Sequence, residues 1–576
     1  MKFRKLKIVN FRNFDDCEIE LSNKNLIFGM NDVGKSNLIY ALRLLFDSKV
    51  RNNQIYDTDF HACDTSKSIE ISCYLDISSE DNDFNNIIIA KSDNAITDNE
   101  ALFVIKFTIE FLNNKFISNL FWGSENEELI EIPMYGLNRT ILDDIFYCIF
   151  IPSQNDILSK FKDFKKELLN NHQKNTDDIS IESEIQALNQ SFNQKISSLS
   201  TIKTMEKSLN EQLDLFDNNY KIKICPSHTF GDLHNNLDIF MFDNQEDDIE
   251  PKFYPTSGDG RIRKVMYALI SYLLNNGINA NGKIPILLIE EPENHLFISS
   301  QIELSKTIFS EKFSPYLFLV THSPQLFFKI SDEANLIRLF KKNQKIEINS
   351  EIANIGDQYN SLKSILMENL AQCLFVNRVL LVEGPSEKLL FEWVLDTLGY
   401  DRTDITIQSI SGIYFDKYIK ILKGLGIKII IKTDNDIAKV PHKNELNALG
   451  FNRCVDLFNL LQSNVQKEKL STVSIPANIS DTDKSQEIHN LREKILTNQV
   501  DDFCEFAELG IHLSKIDLEN DLAECLNKDR KFVKYLQDSK WTNMWDFIQN
   551  SSKEDAQKIF AHPNFKCLKD LIDEQF

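Results

Sequence analysis

Two runs of apolar residues end abruptly at acidic residues, and they predict buried strands of a parallel sheet. Residues 379–382 are all valine or leucine and lead directly into Glu383. Residues 428–432 are mostly isoleucine, and Asp434 and Asp436 follow them. The carboxyl ends of parallel strands share one edge of an open α/β sheet, where ligands bind. The pattern therefore predicts that these acids lie close together.

A glycine–proline pair ends the first run, and a helix is predicted to begin near Ser386, with Glu387 in its first turn. A single acid after a strand is more often a helix cap or a solvated turn. Several acids in two neighbouring turns repel one another unless a cation or basic groups offset them. Carboxylate oxygens are hard ligands that suit divalent cations. The pattern therefore predicts a metal site made of Glu383, Glu387, Asp434 and Asp436.

Towards the N-terminus, residues 4–9 and 18–28 are predicted strands, and the second leads into the segment G-x-x-x-x-G-K-S at residues 29–36. An apolar-periodic helix follows, which is the context in which this loop binds phosphates through its backbone N–H groups. Lys35 would reach the β- and γ-phosphates, and Ser36 would ligate Mg²⁺. The alternative is a glycine-rich helix start that binds nothing, and the lysine argues against it. The predicted nucleotide-binding residues of this loop are Asn31, Asp32, Val33, Gly34, Lys35 and Ser36.

Two further strand ends carry residues suited to nucleotide chemistry. Glu290 and Glu291 follow a predicted buried strand at 286–289 in the form of a Walker B motif. In that motif the first acid supports Mg²⁺ and the second can act as a base on the attacking water. A predicted strand at 316–320 leads to His322, which could polarise the γ-phosphate or simply cap a helix.

A Ser-Gly-Asp-Gly turn within residues 254–261 opens a predicted apolar helix. Such a turn is a second potential phosphate cradle, although alone it could equally be a loop. The residues that would bind nucleotide there are Ser257, Gly258 and Asp259.

Residues 69–77 and 101–112 predict further strands, and the pattern then changes at residues 180–216. Apolar residues recur there every three or four positions, which predicts one long amphipathic helix. The spacing fits a helical hairpin or a contact between two copies of the chain. The alternative is a helix that packs against its own domain.

The composition narrows the class of protein. The chain has 576 residues, of which 42% are apolar and 26% charged, as in globular proteins of about two to four domains. No apolar run approaches the ~18 residues that span a membrane, and the N-terminus does not resemble a signal peptide. Ten cysteines without a C-x-x-C pair argue against zinc ribbons and disulfides and indicate a reducing cytoplasm. The net charge of −22 argues against a nonspecific nucleic-acid coat but not against a nuclease, whose carboxylates are themselves negative.

Five segments together resemble the ATPase heads of the SMC, RecF and OLD group, which are ABC-type ATPases. They are N-F-R-N-F at 10–14, the phosphate loop, S-G-D-G, I-E-E-P-E and T-H-S-P. The resemblance implies that ATP is bound between the phosphate loop of one subunit and the Ser-Gly turn of another. Glu290 stands where these heads usually have Asp, and S-G-D-G replaces S-G-G-Q. The resemblance therefore implies nucleotide binding more firmly than fast hydrolysis.

The pattern E-G-x-S-E at 383–387, followed by D-x-D at 434–436, resembles a Toprim domain. The OLD nucleases carry both a head of this type and a Toprim domain. In them a later D-L-E segment and a lysine complete a site for two metal ions. The resemblance therefore implies site roles for Asp517, Glu519 and Lys540.

The resemblance also implies a division of labour between two Mg²⁺ or Mn²⁺ ions. The first, held by the two glutamates with Asp434 or Asp436, would activate water. The second, supported by Asp436, Asp517 and Glu519, would stabilise the leaving oxygen. Lys540 would neutralise charge that builds on the phosphate.

The resemblance covers nearly the whole chain and implies an α/β architecture: an ABC-type ATPase head with a helical insertion, followed by a Toprim domain with C-terminal helices. The insertion is expected to serve dimerisation. The predicted boundaries are 1–155 and 246–345 for the head, 156–245 for the insertion, 346–370 for a linker and 371–576 for the Toprim domain.

The implied activity is nicking of double-stranded DNA under the control of the head. Four segments resemble the nuclease subunits of Gabija anti-phage systems. They are F-G-M-N-D-V-G-K-S-N at 28–37, Y-P-T-S-G-D-G-R at 254–261, V-E-G-P-S-E-K at 382–388 and I-D-L-E-N-D-L at 516–522. This resemblance implies that cellular nucleotides restrain the nuclease. It also implies a homodimer or tetramer that binds a UvrD-like helicase. The alternatives are a general OLD nuclease without a helicase and an SMC-like DNA clamp whose Toprim fold only binds. A topoisomerase is disfavoured because it would need a tyrosine nucleophile in a separate domain. A primase is disfavoured because it usually has a cysteine-rich zinc site, which this sequence lacks.

Overall fold

The chain forms two compact units. One combines Met1–Phe150 with Ile286–Phe576, and the other is Ile151–Pro285. Within the described ranges, no helix has both the length and the apolar composition that crossing a bilayer requires. The computed structural model describes residues 1–51, 53–78, 83–91, 102–134, 139–153, 176–213, 266–268, 270–271, 274, 282–310, 313–328, 330, 334–342, 345–353, 363–410, 414–462, 464–476 and 479–573.

Residues 1–352 contribute two sheets to the described structure. Their strands are β1 (Lys2–Phe11), β2 (Phe14–Glu20), β3 (Lys24–Gly29), β4 (Ile69–Asp76), β5 (Phe103–Leu112), β6 (Lys115–Ser124), β7 (Ile130–Ile132), β8 (Phe146–Ile151), β9 (Ile284–Glu290), β10 (Leu317–Val320), β11 (Asn335–Lys342) and β12 (Lys345–Ile352). The first sheet is antiparallel, in the order β2-β1-β4-β5-β6-β7. The second has the order β12-β11-β3-β10-β9-β8. In it, β11, β3, β10 and β9 are parallel, so their carboxyl ends meet at one edge.

The single strand predicted at residues 18–28 is two strands, which belong to different sheets. A polar turn separates them, because Ser22 and Asn25 satisfy each other's hydrogen bonds. The Ser22 N–H donates to Asn25 Oδ1 at 2.9 Å, and Asn25 Nδ2 donates to the Ser22 carbonyl at 2.6 Å. Such local side-chain bonds compete with strand pairing, and they allow the chain to change sheets here.

The helices of the head pack against these sheets. One of them, Asp83–Lys91, buries Asn85 and Ile88 on one of its faces. The described helices outside the insertion are Lys35–Phe46, Ser48–Arg51, Asp83–Lys91, Leu142–Ile145 and Ile298–Ile308.

Within the described part of the insertion, the predicted long helix is two helices, Thr176–Ser197 and Ser200–Leu213. The break follows from Ser198, whose hydroxyl donates to the Lys195 carbonyl at 2.7 Å and competes with the helical backbone pattern. Residues 214–216 of the prediction lie outside the described residues. Exposed apolar side chains on and between the two helices are Ile181, Leu188, Phe192, Leu199, Met205 and Leu209.

The C-terminal region is built on a parallel sheet with the order β14-β13-β15-β19. The strands of this region are β13 (Arg378–Val382), β14 (Ile405–Ser409), β15 (Lys428–Thr433), β16 (Ala438–Lys439), β17 (Glu445–Asn447), β18 (Val473–Ser474) and β19 (Ile511–Leu513). The short strands β16, β17 and β18 form a separate antiparallel sheet. The apolar runs predicted as buried strands are β13 and β15, which lie side by side at the centre of the parallel sheet.

Helices cover this sheet, and the last of them share one core with it. Leu380 and Val382 of β13 pack in the same cluster as Leu518, Met544 and Ile559 of the C-terminal helices. The described helices are Lys363–Cys373, Pro385–Leu398, Phe415–Gly424, Leu449–Leu461, Asp481–Asn498, Val500–Glu508, Leu518–Cys525, Arg530–Asp538, Lys540–Gln549, Lys553–Ala561 and Lys566–Ile572.

Residues 346–370, predicted as a linker, contain most of β12 and the start of helix Lys363–Cys373. The strand is ordered because it pairs with β11 along its whole length. The second unit, Ile151–Pro285, also extends beyond the predicted insertion at 156–245. The domain boundaries stay predictions.

Lys432 of β15 and Asp521 of helix Leu518–Cys525 form a buried ion pair. Lys432 Nζ lies 2.8 Å from Asp521 Oδ2, and the two side chains are 3% and 0% exposed. Lys432 also donates to the Asn564 carbonyl at 3.0 Å. The pair therefore fastens the C-terminal helices to the centre of the sheet, at the strand that leads to Asp434.

Replacing Lys432 with Met should lower the free energy of unfolding by roughly 3–5 kcal/mol, because Asp521 would remain as an uncompensated buried charge. Urea unfolding of the full chain, followed by tryptophan fluorescence, measures the change. The matched control is Lys515→Met, since the Lys515–Glu524 pair is 51% and 47% exposed. The control should change stability by less than about 1 kcal/mol, and equal effects of both variants would contradict the role given to the buried pair.

Candidate functional site

The phosphate loop, residues 29–36, connects β3 to the following helix at the carboxyl edge of the second sheet. Lys35 Nζ donates to the carbonyl oxygens of Gly29 at 3.0 Å and Met30 at 2.5 Å. Burial lowers the pKa of Lys35 to about 8, against the opposing charge of Glu291. The ammonium group is therefore satisfied by its own loop, at the position from which the motif predicts contact with phosphates.

Asn31, Asp32 and Val33 complete the loop and precede Gly34. Gly34 has a φ of 96°, in the left-handed region that favours glycine, and a Cβ there would lie 1.9 Å from Asn13 Nδ2. The same Asn13 nitrogen donates to the Val33 carbonyl at 3.1 Å. The N-F-R-N-F segment thus braces the loop, which is a role that the resemblance did not specify.

The two acids that follow β9, together with His322, lie beside this loop. Burial raises the pKa of Glu290, and a hydrogen bond with the Ser36 side chain opposes that shift. Glu291 Oε1 lies 3.7 Å from His322 Nε2. Burial lowers the pKa of His322, and the charge of Lys35 lowers it further. The predicted Mg²⁺ supporter, base and histidine therefore surround the predicted phosphate position.

Glu293 has no role predicted from the sequence, yet it positions the histidine segment. Its Oε1 accepts hydrogen bonds from the Thr321 hydroxyl at 2.9 Å and from the His322 backbone N–H at 2.6 Å. Its place in the acid run after β9 was the only sequence signal. Outside the described residues lies the predicted second phosphate cradle, Ser257, Gly258 and Asp259.

In the C-terminal region, Glu383 follows β13 and is anchored at the end of β15. Its Oε1 accepts hydrogen bonds from the Asp434 backbone N–H at 2.9 Å and from the Thr433 hydroxyl. The same oxygen pairs with the Arg453 guanidinium. The two strand ends predicted to meet are therefore joined directly.

Asp434 lies where the negative charges of the site converge. Burial is the largest cause that raises the pKa of Asp434, and together with the charges of Glu387, Glu383, Asp517 and Asp436 it brings this pKa to about 8. Because Coulomb effects of this kind fall off with distance, these acids occupy one region although they are remote along the chain. At neutral pH and without a metal ion, Asp434 is predominantly protonated.

Glu387 and Glu519 form the buried side of the same cluster. Burial raises the pKa of Glu387, the charges of Glu383 and Glu519 raise it further, and Lys540 opposes the shift. Glu519 is 1% exposed, and its Oε1 lies 3.5 Å from Lys540 Nζ. Burial would lower the pKa of Lys540, but Glu519, Asp434 and Glu387 raise it. The lysine is therefore charged and held against the acids.

Asp517 caps the helix Leu518–Cys525 in addition to lying near the other acids. Its Oδ1 accepts hydrogen bonds from the Asn520 N–H at 2.8 Å and from Asn520 Nδ2 at 2.6 Å. Its Oδ2 accepts a hydrogen bond from Gln537 Nε2 at 2.9 Å. The structure thus brings this predicted ligand to the cluster while both of its oxygens already serve the fold.

Arg453 is a site residue that the sequence analysis missed. Its Nη1 bonds Glu383 and the Thr433 hydroxyl, and its Nη2 lies 3.2 Å from Asp436 Oδ2. The helix that carries it approaches closely because residue 450 is glycine: a Cβ on Gly450 would lie 2.3 Å from the Asp434 carbonyl oxygen. A glycine three residues before an arginine, on the helix after D-x-D, was the available sequence signal.

Arg492 is a second cation that the sequence analysis missed. Its Nε and Nη2 donate to the Asn435 carbonyl at 3.3 and 3.0 Å, which holds the D-N-D turn from the opposite side. Burial lowers the pKa of Arg492, while Asp517, Asp436 and Asp434 oppose the shift. Arg492 lies on helix Asp481–Asn498, whose weak apolar pattern gave no indication of a site.

The donor set fits a divalent cation, although its present arrangement is held by internal contacts. Among the residues that the structure describes, no three His, Cys, Asp or Glu side chains are grouped as ligands of one ion. Arg453 pairs with oxygens of Glu383 and Asp436. Glu519 Oε2 is buried and accepts no hydrogen bond from the described residues. A hard cation would supply the partner that such a buried carboxylate oxygen lacks.

Comparison with known proteins identifies two families along the chain. Residues 1–327 match the AAA ATPase domain family, and residues 374–436 match the Toprim domain of overcoming lysogenization defect protein-like proteins. The chain is 36% identical to endonuclease GajA of Bacillus cereus (strain VD045), over 99% of each chain. It is 23% identical to the Old nuclease of Escherichia phage P2, over 82% of this chain and 83% of that protein. Among solved structures, an SMC head domain bound to a domain of ScpA is 13% identical to this chain, with a TM-score of 0.34. The match covers 61% of this chain and 98% of that one.

The chain therefore belongs to the OLD family of nucleases, in which an ATPase head is joined to a Toprim domain. Along its whole length it is similar to GajA. The predicted family and α/β fold class are confirmed, and the enzyme is an endonuclease with a linked ATPase domain. The two domains also imply the use of a nucleotide and of a divalent metal ion.

The metal-free protein should lose thermal stability as pH rises from about 4 towards 8. The native state holds a proton on Asp434 up to about pH 8, whereas the unfolded carboxyl releases it near pH 4, so rising pH favours unfolding across that window. Differential scanning calorimetry in chelator measures this slope. Asp434→Asn should flatten it, and an unchanged slope in that variant would contradict the assignment.

Replacing Arg453 with Met should lower the stability of the metal-free protein by about 1.5–3 kcal/mol, because Glu383 and Asp436 lose a charged hydrogen-bond donor. Added Mn²⁺ should then raise the melting temperature more in this variant than in the unmodified chain. Arg402→Met is the control, since the Arg402–Asp396 pair is 34% and 65% exposed. A smaller Mn²⁺ response in Arg453→Met than in the control would argue that the arginine helps to bind the ion.

Proposed function

We propose that this protein is a nucleotide-restrained, metal-dependent endonuclease that nicks double-stranded DNA. The observation that supports this most strongly is the convergence of six carboxylates and one lysine from distant parts of the chain. The acids are Glu383, Glu387, Asp434, Asp436, Asp517 and Glu519. Carboxylates packed in this number at a sheet edge repel one another, and divalent cations would offset that repulsion while holding an anionic phosphate ester.

Each of the site's own residues has a distinct task in this proposal. Glu383 and Asp434 would hold one Mg²⁺ or Mn²⁺ with Glu387, while Asp436, Asp517 and Glu519 would hold a second. The bound ions would supply an activated water and compensate charge on the scissile phosphate. Lys540 lies against Glu519 and would add a fixed positive charge on the phosphate side.

The ATPase head is proposed to sense nucleotide and to restrain the nuclease. Lys35, Glu291 and His322 lie close to one another beside the phosphate loop of the head. Glu290 contacts Ser36, as a supporter of Mg²⁺ should. The proposal of restraint, rather than of stimulation, comes from the resemblance to the Gabija nucleases. ATP binding alone would serve it, with or without hydrolysis.

Assembly is proposed to involve the insertion and a second protein. The two insertion helices expose five large apolar side chains, and Leu199 between them exposes a sixth, more than an isolated surface helix usually leaves to water. Such a face would suit a homodimer or tetramer. Following the resemblance to Gabija systems, the partner would be a UvrD-like helicase of the GajB type, and the biological role would be defence against phage.

Supercoiled plasmid should be converted to the nicked form with Mg²⁺ or Mn²⁺, and ATP should suppress the conversion. Glu383→Gln should lower the nicking rate by more than about 100-fold. Removing a residue that only supports a metal ligand can already cost about 100-fold in activity, and Glu383 is proposed to bind the ion itself. The matched control is Glu392→Gln. Glu392 lies on the helix Pro385–Leu398, which follows Glu383, and it pairs with Arg402.

The nucleotide arm has its own control. Lys35→Met should retain nicking while losing suppression by ATP, because the loop loses its phosphate-binding cation. Stimulation by ATP instead would favour an OLD nuclease whose ATPase drives DNA processing. Binding of DNA without nicking under any of these conditions would favour a clamp.

A further inference from the structure

Arg338 is a buried cation that neither active site uses. It lies on β11 of the head sheet and is 3% exposed. Among the described residues it pairs with no carboxylate, and burial lowers the pKa of Arg338 to about 10, with Asp404 opposing. It therefore stays charged at neutral pH. Burying a charge without a direct counter-ion is costly, so the contacts that it makes need an explanation.

Among the described residues, the acceptors of Arg338 lie at the starts of two Toprim strands. Its Nη2 donates to the Val376 carbonyl at 3.0 Å and to Asn377 Oδ1, just before β13. Its Nη1 donates to the carbonyls of Leu425 at 3.2 Å and Gly426 at 3.4 Å, just before β15. One planar guanidinium thus binds the amino ends of two neighbouring parallel strands.

The opposite ends of the same two strands carry the acids of the nuclease site. β13 leads to Glu383, and β15 leads to Asp434 and Asp436. Each strand has five or six residues, which at ~3.3 Å per residue spans under about 20 Å. Because paired strands are stiff along their length, a shift at their amino ends moves the acids at their carboxyl ends.

On its other side, Arg338 is tied to the phosphate loop. In the pairing of β11 with β3, Arg338 lies opposite Phe28, and Leu339 lies opposite Gly29, the first residue of the loop. A Cβ on Gly29 would lie 2.1 Å from the Leu339 carbonyl oxygen, so the two backbones are in close contact. A change in the conformation of the phosphate loop on nucleotide binding would therefore act directly on β11.

Two packing features keep this junction tight. The rings of Phe28, Phe327 and Phe375 form a triangle with centroids 5.4 to 5.7 Å apart. Phe28 precedes the phosphate loop, Phe327 follows the His322 segment, and Phe375 precedes β13. A Cβ on Gly424 would lie 2.1 Å from Glu351 Oε2 of β12, so the turn before β15 also fits closely against the head.

We propose that Arg338 is the positioning residue that couples the nucleotide site to the nuclease site, by holding β13 and β15 at the edge of the head sheet. This inference rests on the proposed regulation by nucleotide and names the contact that carries it. Loss of the guanidinium should leave both sites competent and disconnect them.

The experiment compares the unmodified full chain with Arg338→Met and Arg338→Lys. Three quantities are measured: affinity for fluorescent mant-ATP, plasmid nicking without nucleotide, and the ratio of nicking rates without and with ATP. In the unmodified chain this ratio should fall in the roughly 5- to 150-fold range of allosteric coupling. In both variants mant-ATP affinity and basal nicking should be retained, and the ratio should fall towards one. Lysine should not rescue it, because an ammonium group cannot bind both strand starts as the planar fork does.

Arg378→Met is the matched control. Arg378 begins β13, donates to the Ile572 carbonyl at 2.6 Å and lies 3.6 Å from Asp404 Oδ2, and neither of these two partners belongs to the head sheet. The control should keep the response to ATP. A retained response in Arg338→Met would overturn the proposal, as would loss of basal nicking in both Arg338 variants, which would make the residue a purely structural one.

Hydrogen–deuterium exchange separates this proposal from the proposed function. ATP should change amide exchange in residues 376–383 and 425–434 of the unmodified chain and should leave them unchanged in Arg338→Met. If ATP alters exchange in these residues without affecting nicking, the proposed regulation of nicking is wrong, whereas the proposed coupling through Arg338 stands. If ATP leaves exchange in these strands unaltered in the unmodified chain, the coupling is wrong.

Discussion

Six carboxylates at one edge of a four-stranded sheet repel one another, and the rest of the nuclease region is arranged to hold them there. Without a metal ion, the balance comes from within the chain. Arg453 bridges two acids, Arg492 holds the turn between the two aspartates, and Lys540 faces the buried Glu519. A proton on Asp434 removes one more negative charge. The same oxygens that repel one another are those that a hard cation prefers, so the internal compensation and the proposed chemistry share one origin.

The position of this charge in the fold follows from the two central strands. Their carboxyl ends carry acids, and their amino ends meet the head sheet through Arg338. Residues 1–150 and 286–576 belong to one compact unit, and residues 151–285 form the other. The parallel sheet therefore carries the acids at one edge and contacts the head sheet at the other through Arg338.

Much of this organisation could be predicted because it rests on local patterns. The apolar runs before Glu383 and Asp434 specify buried strands, and parallel strands bring their ends to one edge. The phosphate loop and Walker B acids were recognisable for the same reason, since each follows a strand at a fixed spacing. The roles of Asp517, Glu519 and Lys540 came only from resemblance, because no periodicity links these residues to the strands.

The residues that escaped prediction depend on packing between distant elements. Arg453 reaches Glu383 only because Gly450 lets its helix touch the D-N-D turn. Arg492 arrives from a polar helix some 57 residues after the carbonyl that it binds. The predicted strand at 18–28 failed for a local reason, a pair of side-chain bonds at Ser22 that apolar periodicity does not register.

The ammonium group of Lys35 is held by the backbone of its own loop. It donates to the carbonyl oxygens of Gly29 and Met30, so a half-buried charge keeps two hydrogen-bond acceptors. Because both acceptors are backbone oxygens of the same loop, the position of the ammonium group is tied to the backbone conformation of residues 29–35.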